Sequence, residues 1–438
     1  MNILIIGSGA REHALIKALN RSPQNPSLFC YGTAVNPGIH PLTIQYCTGD
    51  ITDCTAVVSQ AKRWRIDLAI VGPEAPLEKG MADALWQEGI PTIGPKRVLA
   101  QIETSKEFAR DLMQKYDIPG LPLYKKFTSL NHIESFLNEL GEGNYVIKAN
   151  GLMSGKGVKV AGEHLHSIPE AISFCQEILN QNQTILIEEK LIGQEFSLMC
   201  FADGKQLIPM PLVQDHKRAY DGDLGPNTGG MGSYSDTNHS LPFLTTDEVH
   251  DALAINNAVF RALSHECNEQ YIGILYGSFI ATKNGIYVIE FNARFGDPEA
   301  LNVLSILESD FVTLCQSQVN GHLQEDKVKF AKQATVCKYT VPEGYPDAPK
   351  KNFVVNFSKI SCQNNLYLAS VNQVNEQIIA VGSRTAAYVG IADSIFAAEK
   401  KAEHEISLIE GPLFHRQDIG TKPLIQQRIE QMLRIRAL

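Results

Sequence analysis

The sequence lacks the features that mark a secreted or metal-stapled protein. Its nine cysteines are scattered and contain no C-x-x-C pair, so they predict neither a disulfide framework nor a zinc ribbon. No apolar stretch is long enough to span a bilayer, and we expect no membrane partner. The first apolar run, Asn2–Ile6, has no basic leader or small-residue cleavage site and favours a strand over a signal peptide. We therefore expect a reduced, cytoplasmic enzyme.

Basic residues are also in deficit. The chain has 39 Lys and Arg against 48 Asp and Glu, and its formal net charge is -9. This balance disfavours broad electrostatic binding to nucleic acid, but it allows a local basic pocket for a phosphorylated small molecule. The hydrophobic share of 44% and the charged share of 20% are ordinary for a globular chain and exclude wholesale disorder.

The 438 residues predict three or four domains of mixed α/β and α+β class. The first region alternates strands and helices, which implies a Rossmann-like parallel sheet with right-handed crossovers. Two α+β lobes follow, the first opening with a predicted amphipathic helix over Glu103–Tyr116, and a small α+β domain ends the chain. The predicted boundaries are 1–101, 102–190, 191–331 and 332–438.

Two turns at predicted strand ends carry candidate ligand contacts. Gly7-Ser8-Gly9 opens a helix whose amino end attracts phosphate. The third glycine of a dinucleotide motif is missing and no acidic residue ends the second strand, so NAD is disfavoured. A phosphate of another ligand and a purely structural turn both stay open. The second turn surrounds Glu74 with two prolines and a glycine, which indicates either a rigid ligand-facing loop or a stiff, solvent-facing turn.

A glycine-rich hairpin tip follows the predicted strand Tyr145–Lys148. Its residues 154–157 lack the Walker spacing, and a strand rather than a helix comes next. The pattern is typical of a flap whose amides and Lys156 cover the phosphates of a nucleotide, with Lys148 reaching an α- or β-phosphate. A surface turn is the alternative.

Two connecting segments are rich in hydrogen-bonding groups. Ile187–Glu195 joins the two lobes; its backbone would pair with an adenine edge and Glu195 with ribose hydroxyls, or it is simply a charged connector. Gln214–Arg218 and Gly225–Gly232 are predicted to lie on one long substrate-closing loop. Within it, His216 is as compatible with a structural or substrate-contacting role as with a catalytic base.

The run Val288–Glu299 is the most informative. Strand alternation places Glu290 and Asn292 on one face, where two oxygen donors suit Mg²⁺ completed by nucleotide phosphates. Arg294 follows on the same side and is placed to neutralise charge on a transferring phosphoryl group. A solvated charged strand end is the alternative.

Taken in order, these segments resemble the phosphoribosylamine–glycine ligase family of purine biosynthesis, whose members are ATP-grasp enzymes. The matching runs are GSGAREHA from Gly7, VGPEAPL from Val71, Ser105-Lys106, Val146–Lys148 with the glycine-rich loop, QDHKR from Gln214, GPNTGGMG from Gly225, and Glu290–Glu299. They span about three quarters of the chain, whereas the last hundred residues match only loosely. The resemblance implies a two-lobed ATP-grasp module between the parallel-sheet domain and the C-terminal domain.

The resemblance also implies a reaction. ATP, with Mg²⁺ or Mn²⁺, phosphorylates the carboxylate of glycine; the amine of 5-phosphoribosylamine then attacks the acyl phosphate, and glycinamide ribonucleotide, ADP and phosphate leave. Phosphoryl transfer needs positioning and charge neutralisation more than a nucleophilic side chain. The implied partners are these small molecules, without nucleic acid or membrane, in a monomer or weak homo-oligomer.

Site residues are carried over position by position. The resemblance implies catalytic roles for Arg294, Lys217 and Asp215 and metal binding by Glu290 and Asn292. It implies ATP binding by Lys106, Lys148, Gly155, Lys156, Gly157, Glu188, Lys190, Leu191 and Glu195. It implies substrate binding by Gly9, Glu74, Asn227, Thr228, Asp297 and Pro298.

Several positions depart from the common family pattern. Asn150 stands where Asp is usual, and Ala34–Gly38 replaces a Pro-Gly-Asn turn at one wall of the phosphoribosyl pocket. Ala300-Leu301 stands where Thr-Gln is frequent, and Ser278 is the candidate for a further metal ligand on the preceding strand. These changes indicate a divergent branch with the ATP chemistry intact.

Three other functions remain possible at this point. Another ATP-grasp carboxylate–amine ligase, or a related carboxylase, would turn over with a different acceptor. A nucleotide-binding sensor would bind ATP without turnover, and an NAD-dependent enzyme would change nicotinamide absorbance.

Overall fold

The computed structural model describes residues 1–151 and 157–437. Its N-terminal part is a five-stranded sheet in the order β3-β2-β1-β4-β5, and every pair is parallel. The strands are β1 (Asn2–Ile6), β2 (Ser27–Gly32), β3 (Gln45–Thr48), β4 (Leu68–Val71) and β5 (Thr92–Ile93). The helices are α1 (Ala10–Asn20), α2 (Cys54–Arg63), α3 (Glu74–Glu78) and α4 (Met81–Gln87). Strand β4 and residues 3–6 of β1 are apolar and buried, as is typical of parallel strands covered by helices on both faces. The predicted parallel sheet is confirmed.

The predicted helix over Glu103–Tyr116 is confirmed over Lys106–Lys115, but its predicted start is wrong, because two helices meet at Ser105. These are α5 (Arg97–Thr104) and α6 (Lys106–Lys115). Ser105 has an extended backbone, with φ of -134°, and its hydroxyl accepts a hydrogen bond from Phe108 N at 3.2 Å. A serine in this conformation satisfies a free amide of the new helix, so it ends α5 and starts α6.

A four-stranded antiparallel sheet forms the small lobe, defined here as residues 124–151 and 157–189. Its order is β6-β9-β7-β8. The strands are β6 (Tyr124–Phe127), β7 (Tyr145–Ala149), β8 (Val158–Val160) and β9 (Ile185–Glu189), and the helices are α7 (Ile133–Leu140) and α8 (Ile168–Asn180). The helices cover one face and close a core separate from the rest of the molecule.

The next region contains a second antiparallel sheet in the order β11-β10-β16-β17. Helix α9 (Thr246–Cys267) packs against β16 and β17, and Asn256 of this helix donates to Leu198 O of β10 at 3.1 Å. The strands are β10 (Gln194–Asp203), β11 (Leu207–Pro209), β12 (Gln214–Asp215), β13 (Arg218–Tyr220), β14 (Leu224–Asn227), β15 (Gly232–Ser235), β16 (Ile272–Thr282) and β17 (Gly285–Asn292). The helices are α9 (Thr246–Cys267), α10 (Glu299–Ser305) and α11 (Phe311–Val319).

The prediction of one long loop over residues 214–232 is wrong. Strands β12 and β15 pair with each other, and β13 and β14 form a second antiparallel pair between them. Glycines and short polar residues obscured these strands, because each has only two to four residues. The segment is therefore an ordered double hairpin.

The C-terminal region adds strands to that double hairpin. The order β12-β15-β18-β23-β20 gives one sheet, with β24 also paired to β18, and β19, β22 and β21 form a smaller sheet. The strands are β18 (Ala334–Pro342), β19 (Phe353–Val355), β20 (Leu366–Leu368), β21 (Val371–Val374), β22 (Gln377–Ala380), β23 (Ala386–Ala392) and β24 (Leu413–His415). The helices are α12 (Ile395–Ile406) and α13 (Lys422–Ala437). The strands of this sheet come from both sides of residue 332. The four domain boundaries stay predictions.

The mixed architecture confirms the predicted fold class. One continuous core joins the parallel sheet, the second antiparallel sheet and much of the C-terminal region, which together we call the body. Among the helices in the described ranges, none combines the length and apolar character needed to cross a bilayer.

Candidate active site

A polar pocket lies where the small lobe faces β17, α5, α6 and the start of α3. Seven predicted site residues line it: Glu74, Lys106, Lys148, Glu188, Glu290, Asn292 and Arg294. The pocket is completed by Ile102, Glu103, Ala109, Arg110, Gly151, Ile289 and Phe291. The fold therefore gathers residues from five separate segments of the sequence around one space.

Strand β17 delivers Glu290 and Asn292 to this pocket. Its register with β16 shifts at one point, where Ser278 lies opposite Glu290 but Phe279 lies opposite Val288. The shift is a β-bulge at Ile289, and it re-aims the strand end where the acidic and amide side chains stand. Ser278 is buried directly across from Glu290, so the fold puts this candidate third ligand beside the other two.

Glu290 is surrounded by positive charge. Burial alone would raise the pKa of its carboxyl, but Lys217, Lys148 and Lys106 outweigh burial and hold that pKa below its ordinary value. Burial in turn lowers the pKa of Lys106 and Lys148. Lys106 Nζ also donates to Gly151 O at 2.8 Å. The pocket therefore presents an ionised carboxylate among cations, an arrangement that suits a bound polyanion and its counter-ion.

Glu188 is held by two cations at once. Arg110 donates to both of its oxygens, at 2.6 and 3.1 Å, and Lys148 Nζ lies 2.6 Å from Oε2. Burial would raise the pKa of Glu188, but these two partners lower it to about 2. Arg110 also donates to the carbonyls of Val288 and Ile289, at 3.1 and 2.8 Å. The arginine thereby joins β9 of the small lobe to β17 of the body.

Arg294 stands between two carboxylates. One of its amino nitrogens lies 2.9 Å from Glu103 Oε1, and Nε lies 3.4 Å from Glu74 Oε2. Glu103 also accepts from Ala293 N at 2.7 Å. Burial raises the pKa of Glu103 to about 7, with Arg294 opposing and Glu74 adding to that rise. Arg294 thus connects the end of β17 in this pocket to the Glu74 turn of the parallel sheet.

Sequence analysis missed Glu103 and Arg110, although a signal was present. Glu103, Lys106 and Arg110 are spaced by three and then four residues, the spacing that aligns side chains along one helix face. Charged residues on a face that also carries apolar neighbours indicate buried ion pairs. The spacing survives the break at Ser105, and all three residues line the pocket.

Asp215 ends β12 of the double hairpin, and Lys217 lies in the connection from β12 to β13. Burial, reinforced by Glu299, raises the pKa of Asp215 well above its ordinary value. Lys217 Nζ lies 3.8 Å from Glu195 Oε2. Burial would lower the pKa of Lys217, but Glu195 and the neighbouring carboxylates raise it. Tyr276 of β16 donates to Glu299 Oε1 at 2.6 Å, so further acidic groups stand on the same side.

The predicted substrate-binding residues of this region lie close by. Thr228 Oγ1 donates to Lys217 O at 2.8 Å, which closes the hairpin beneath Lys217. Asn227 is exposed at the end of β14. Asp297 precedes Pro298 through a cis peptide bond, and Pro298 immediately precedes α10.

The predicted turns of the parallel sheet meet at one edge. Gly9 caps α1, and its amide donates to Glu12 Oε2 at 2.6 Å, while Glu74 begins α3 after β4. Since β1 lies between β2 and β4, the chain leaves β1 and β4 at the switch point of the sheet, where open α/β sheets bind ligands.

Three predicted ATP-binding residues near the junction of β9 and β10 lie outside the pocket lining described above. Lys190 Nζ donates to Ala161 O at 2.8 Å, and Leu191 is half-buried in the connection from β9 to β10. Glu195 is more than half exposed on β10 and faces Lys217. They follow one another along the edge between small lobe and body.

The predicted hairpin on either side of the glycine-rich segment is confirmed. Strands β7 and β8 pair antiparallel as expected, and Ala149 N donates to Gly157 O at 2.8 Å. Gly155 and Lys156 lie outside the described residues, so their predicted phosphate contacts stay predictions.

His216 is buried in the hairpin against Tyr234. Among the described residues neither of its ring nitrogens has a hydrogen-bond partner. Burial, helped by Arg428 and Arg416, lowers the pKa of His216 to about 3. The ring is therefore neutral at physiological pH and contributes packing within the hairpin.

Comparison with known proteins identifies the family. Three models of phosphoribosylglycinamide synthetase match in sequence, namely the N domain over residues 1–103, the ATP-grasp (A) domain over 104–300 and the C domain over 335–422. The phosphoribosylamine–glycine ligase of Methanosarcina barkeri is 47% identical over 436 residues, covering 100% of both chains. This chain belongs to the phosphoribosylglycinamide synthetase family.

Solved structures agree on the fold. A crystal structure of phosphoribosylamine–glycine ligase from Thermotoga maritima matches with a TM-score of 0.80, 24% identity and coverage of 95% of this chain and 100% of that one. A biotin carboxylase from Campylobacter jejuni matches with a TM-score of 0.72 at 13% identity, covering 99% and 95%. The expected family, its ATP-grasp fold and the assignment as an ATP-dependent ligase of purine biosynthesis are confirmed.

Two departures from the common synthetase pattern have structural explanations. Asn150 Oδ1 accepts from Glu107 N at 3.2 Å, so it caps α6 with the same kind of acceptor oxygen that an aspartate supplies. Asn36 is buried and donates to Ser8 O at 2.9 Å and to Leu368 O at 2.8 Å. It therefore braces the turn after β1 against the C-terminal region. Ala300-Leu301, by contrast, is fully buried in α10 and offers no polar contact.

Proposed function

We propose that this chain ligates glycine to 5-phosphoribosylamine at the expense of ATP, through a glycyl phosphate. The observation that carries the proposal is the meeting, in one pocket, of Lys106, Lys148, Glu290 and Arg294 with Glu74 of the parallel sheet. Phosphate-binding cations and the switch-point edge of the parallel sheet thus open onto a common space. A reaction that activates one substrate and hands it to a second needs such a junction.

In the first step an oxygen of the glycine carboxylate attacks the γ-phosphorus of ATP, and the bond to the ADP oxygen breaks. Lys106 and Lys148 hold the phosphates, and Arg294 stabilises charge on the transferring group. Gly155, Lys156 and Gly157 cover the phosphates, and Glu188, Lys190, Leu191 and Glu195 line the side of adenine and ribose.

In the second step the phosphoribosylamine nitrogen attacks the acyl carbon, phosphate leaves with the carbon–oxygen bond electrons, and the new amide nitrogen loses a proton. Asp215 and Lys217 position the glycyl group, assisted by Asn227, Thr228, Asp297 and Pro298. Gly9 and Glu74 face phosphoribosylamine.

A divalent cation, Mg²⁺ or Mn²⁺, fits the oxygens of Glu290 and Asn292. The pKa of Glu290 is held below its ordinary value, so its carboxylate keeps its charge. Asn292 Oδ1 accepts one long hydrogen bond from Arg294, at 3.4 Å, among the residues that the structure describes. Within residues 1–151 and 157–437 no three His, Cys, Asp or Glu side chains cluster as a complete metal site. That fits an ion completed by nucleotide phosphates, whose negative charge it would neutralise.

The surroundings of the enzyme are also proposals. All nine cysteines are free, which fits a reducing cytoplasm. The net charge of -9 fits small-molecule substrates without nucleic acid. A monomer or weak homo-oligomer is expected, and light scattering behind size-exclusion chromatography measures it.

The substrate assignment is tested by coupled measurement of ADP release. Glycine with freshly made phosphoribosylamine should give turnover that needs both substrates. Silence with this pair, and turnover with another carboxylate or amine, would transfer the chain to a different ATP-grasp ligase. ATP binding without any turnover would indicate a sensor.

The metal assignment is tested with Glu290→Gln, which keeps the shape of the side chain and removes its charge. We expect kcat to fall about 10²–10³-fold, because a charge that holds the ion and the cations in place is lost. The matched control is Glu177→Gln on the exposed outer face of α8, which should keep full activity. Full turnover of Glu290→Gln at limiting Mg²⁺ would reject the metal site.

A further inference from the structure

The C-terminal region had no chemistry assigned from sequence, yet it touches the double hairpin directly. Strand β18 pairs with β15 from Gly232↔Lys338 to Ser235↔Thr335. Just before β15, Tyr339 N donates to Met231 O at 2.9 Å. The backbone that leads out of the glycine-rich segment is therefore built onto a C-terminal strand.

Arg384, in the turn between β22 and β23, contacts residues of the candidate site region directly. One of its amino nitrogens donates to three carbonyl oxygens, those of Gly229 at 2.7 Å, Gly230 at 3.1 Å and Asp297 at 3.0 Å. The other amino nitrogen lies 3.3 Å from Asp297 Oδ2. A single guanidinium thus joins two backbone segments that are far apart in sequence.

The guanidinium is itself held in place. It lies over the ring of Tyr339, 4.5 Å from the ring centroid, and Tyr339 Oη donates to Asp297 Oδ1 at 2.6 Å. Arg384 and Asp297 are each only 16% exposed in their side chains. Stacking, ion pairing and burial together fix the direction of the donors.

The two joined segments form the wall beside Asp215. A Cβ on Gly230 would stand 2.7 Å from Asp215 Oδ1 and 2.7 Å from Pro298 Cδ, and Gly230 has φ of +106°. The carboxylate, the glycine backbone and the proline ring are therefore in close contact. A shift of the carbonyls that Arg384 holds would displace the carboxylate of Asp215.

We propose that Arg384 is a positioning residue for the glycine-binding side of the reaction, because it holds the carbonyls of Gly229, Gly230 and Asp297 beside Asp215. The C-terminal region would then set the geometry of the glycine-binding side while leaving the nucleotide side untouched. The proposal rests on the proposed function for its kinetic consequence, whereas the positioning itself is a property of the fold.

The test uses the full chain with Arg384→Met, which keeps side-chain length and removes the donors. The KM for glycine should rise about tenfold or more, as expected for lost hydrogen bonds from a charged group, while the KM for ATP changes less than about twofold. Tyr339→Phe, which removes only the hydroxyl, should raise the same KM by a smaller factor. Arg384→Lys should fall between Arg384→Met and the parent chain, because one ammonium cannot reach all the acceptors.

Hydrogen exchange read by mass spectrometry separates positioning from function. In Arg384→Met, amide exchange should quicken in 225–232 and 295–300 and stay unchanged in the small lobe. The matched control is Arg434→Met on the exposed face of α13, which should change neither exchange nor kinetics.

The outcomes distinguish the two proposals. Unchanged exchange and unchanged glycine KM in Arg384→Met would overturn the positioning role, and so would an equal rise of both KM values. If Arg384→Met does not fold, Tyr339→Phe and Arg384→Lys decide by the same two measurements. A parent chain that does not use glycine, with faster exchange in Arg384→Met, would sink the proposed function and keep the positioning role.

Discussion

The small lobe and the body both contribute to the pocket, but they are built differently. The small lobe closes its own core around residues such as Phe136 and Ile147. The body has one continuous core that runs through the parallel sheet, the second antiparallel sheet and much of the C-terminal region. Between them the contacts are largely polar, such as Arg110 with Glu188 and Lys126 with Asp111. Apolar cores fix each part internally, whereas ion pairs set how the two parts meet.

Two buried carboxylates express the same contrast. Glu188 of the small lobe has two cations to itself, and its pKa is lowered to about 2. Glu103 of the body shares Arg294 with Glu74, and burial raises its pKa to about 7. Equal burial thus has opposite results, because the ratio of cations to carboxylates differs on the two sides of one pocket.

The separate cores predict separate unfolding. Phe136→Ala should cost about 3–5 kcal/mol, since a large buried side chain leaves a cavity. Amide exchange should quicken within the small lobe, and the body should keep its protection. The matched variant Phe279→Ala, in the body core, should quicken exchange across the body. Whole-chain unfolding in Phe136→Ala would mean that the two cores are one cooperative unit.

The raised pKa of Glu103 predicts a pH dependence of stability. Between its ordinary pKa near 4.5 and its folded pKa of about 7, the folded chain holds a proton that the unfolded chain has released. The free energy of unfolding should therefore fall as pH rises through this window, by at most about 1.4 kcal/mol per pH unit. When the free energy of unfolding is measured by urea and plotted against pH, Glu103→Gln should show a shallower slope than the parent chain between pH 4.5 and 7. The same pH dependence of the free energy of unfolding in both proteins would show that Glu103 is not the group with the raised pKa.

Glu188 predicts the opposite sign in acid. Its stabilising contribution is present above the ordinary pKa near 4.5 and is lost as pH falls toward 2. Glu188→Gln should therefore narrow its stability gap to the parent chain between pH 4.5 and pH 2, measured by the same urea series. A gap that stays constant across this range would contradict the ion-pair account.

The smallest effect should come from the exposed link between the two parts. Glu163 of the small lobe pairs with Arg218 of β13, and its side chain is 41% exposed. Glu163→Gln should change the free energy of unfolding by about 0.2–1 kcal/mol, and less at high salt. A larger, salt-independent loss would show that this contact anchors the small lobe.

Sequence could predict the parts of this site that are local. Glu290, Asn292 and Arg294 follow from strand alternation within one run, and Gly9 and Glu74 follow from turns at strand ends. The partners of these residues could not be found this way. Arg294 meets Glu103 only when α5 packs beside the end of β17, and Arg110 meets Glu188 only when the small lobe meets the body. Neither pairing is recorded in a local sequence pattern.

The double hairpin shows the same limit from another direction. Strands β12 to β15 were predicted as one loop, because their order comes from pairing with β18 and from carbonyls that Arg384 holds. Propensity within the segment favours turns. Pairing with β18 overrides this local preference, and β18 lies about a hundred residues further along the chain.

The sheet shared between the double hairpin and β18 limits how this enzyme can be cut or recombined. A fragment ending near residue 332 would make β15 an edge strand, whose unpaired amides and carbonyls could pair with a strand of another molecule. Exchanging C-terminal regions between relatives would likewise mismatch the pairing of β15 with β18, which lies next to the candidate site. In a chimera, residues 214–235 should be exchanged together with the C-terminal region, because β12 and β15 belong to the same sheet as the C-terminal strands.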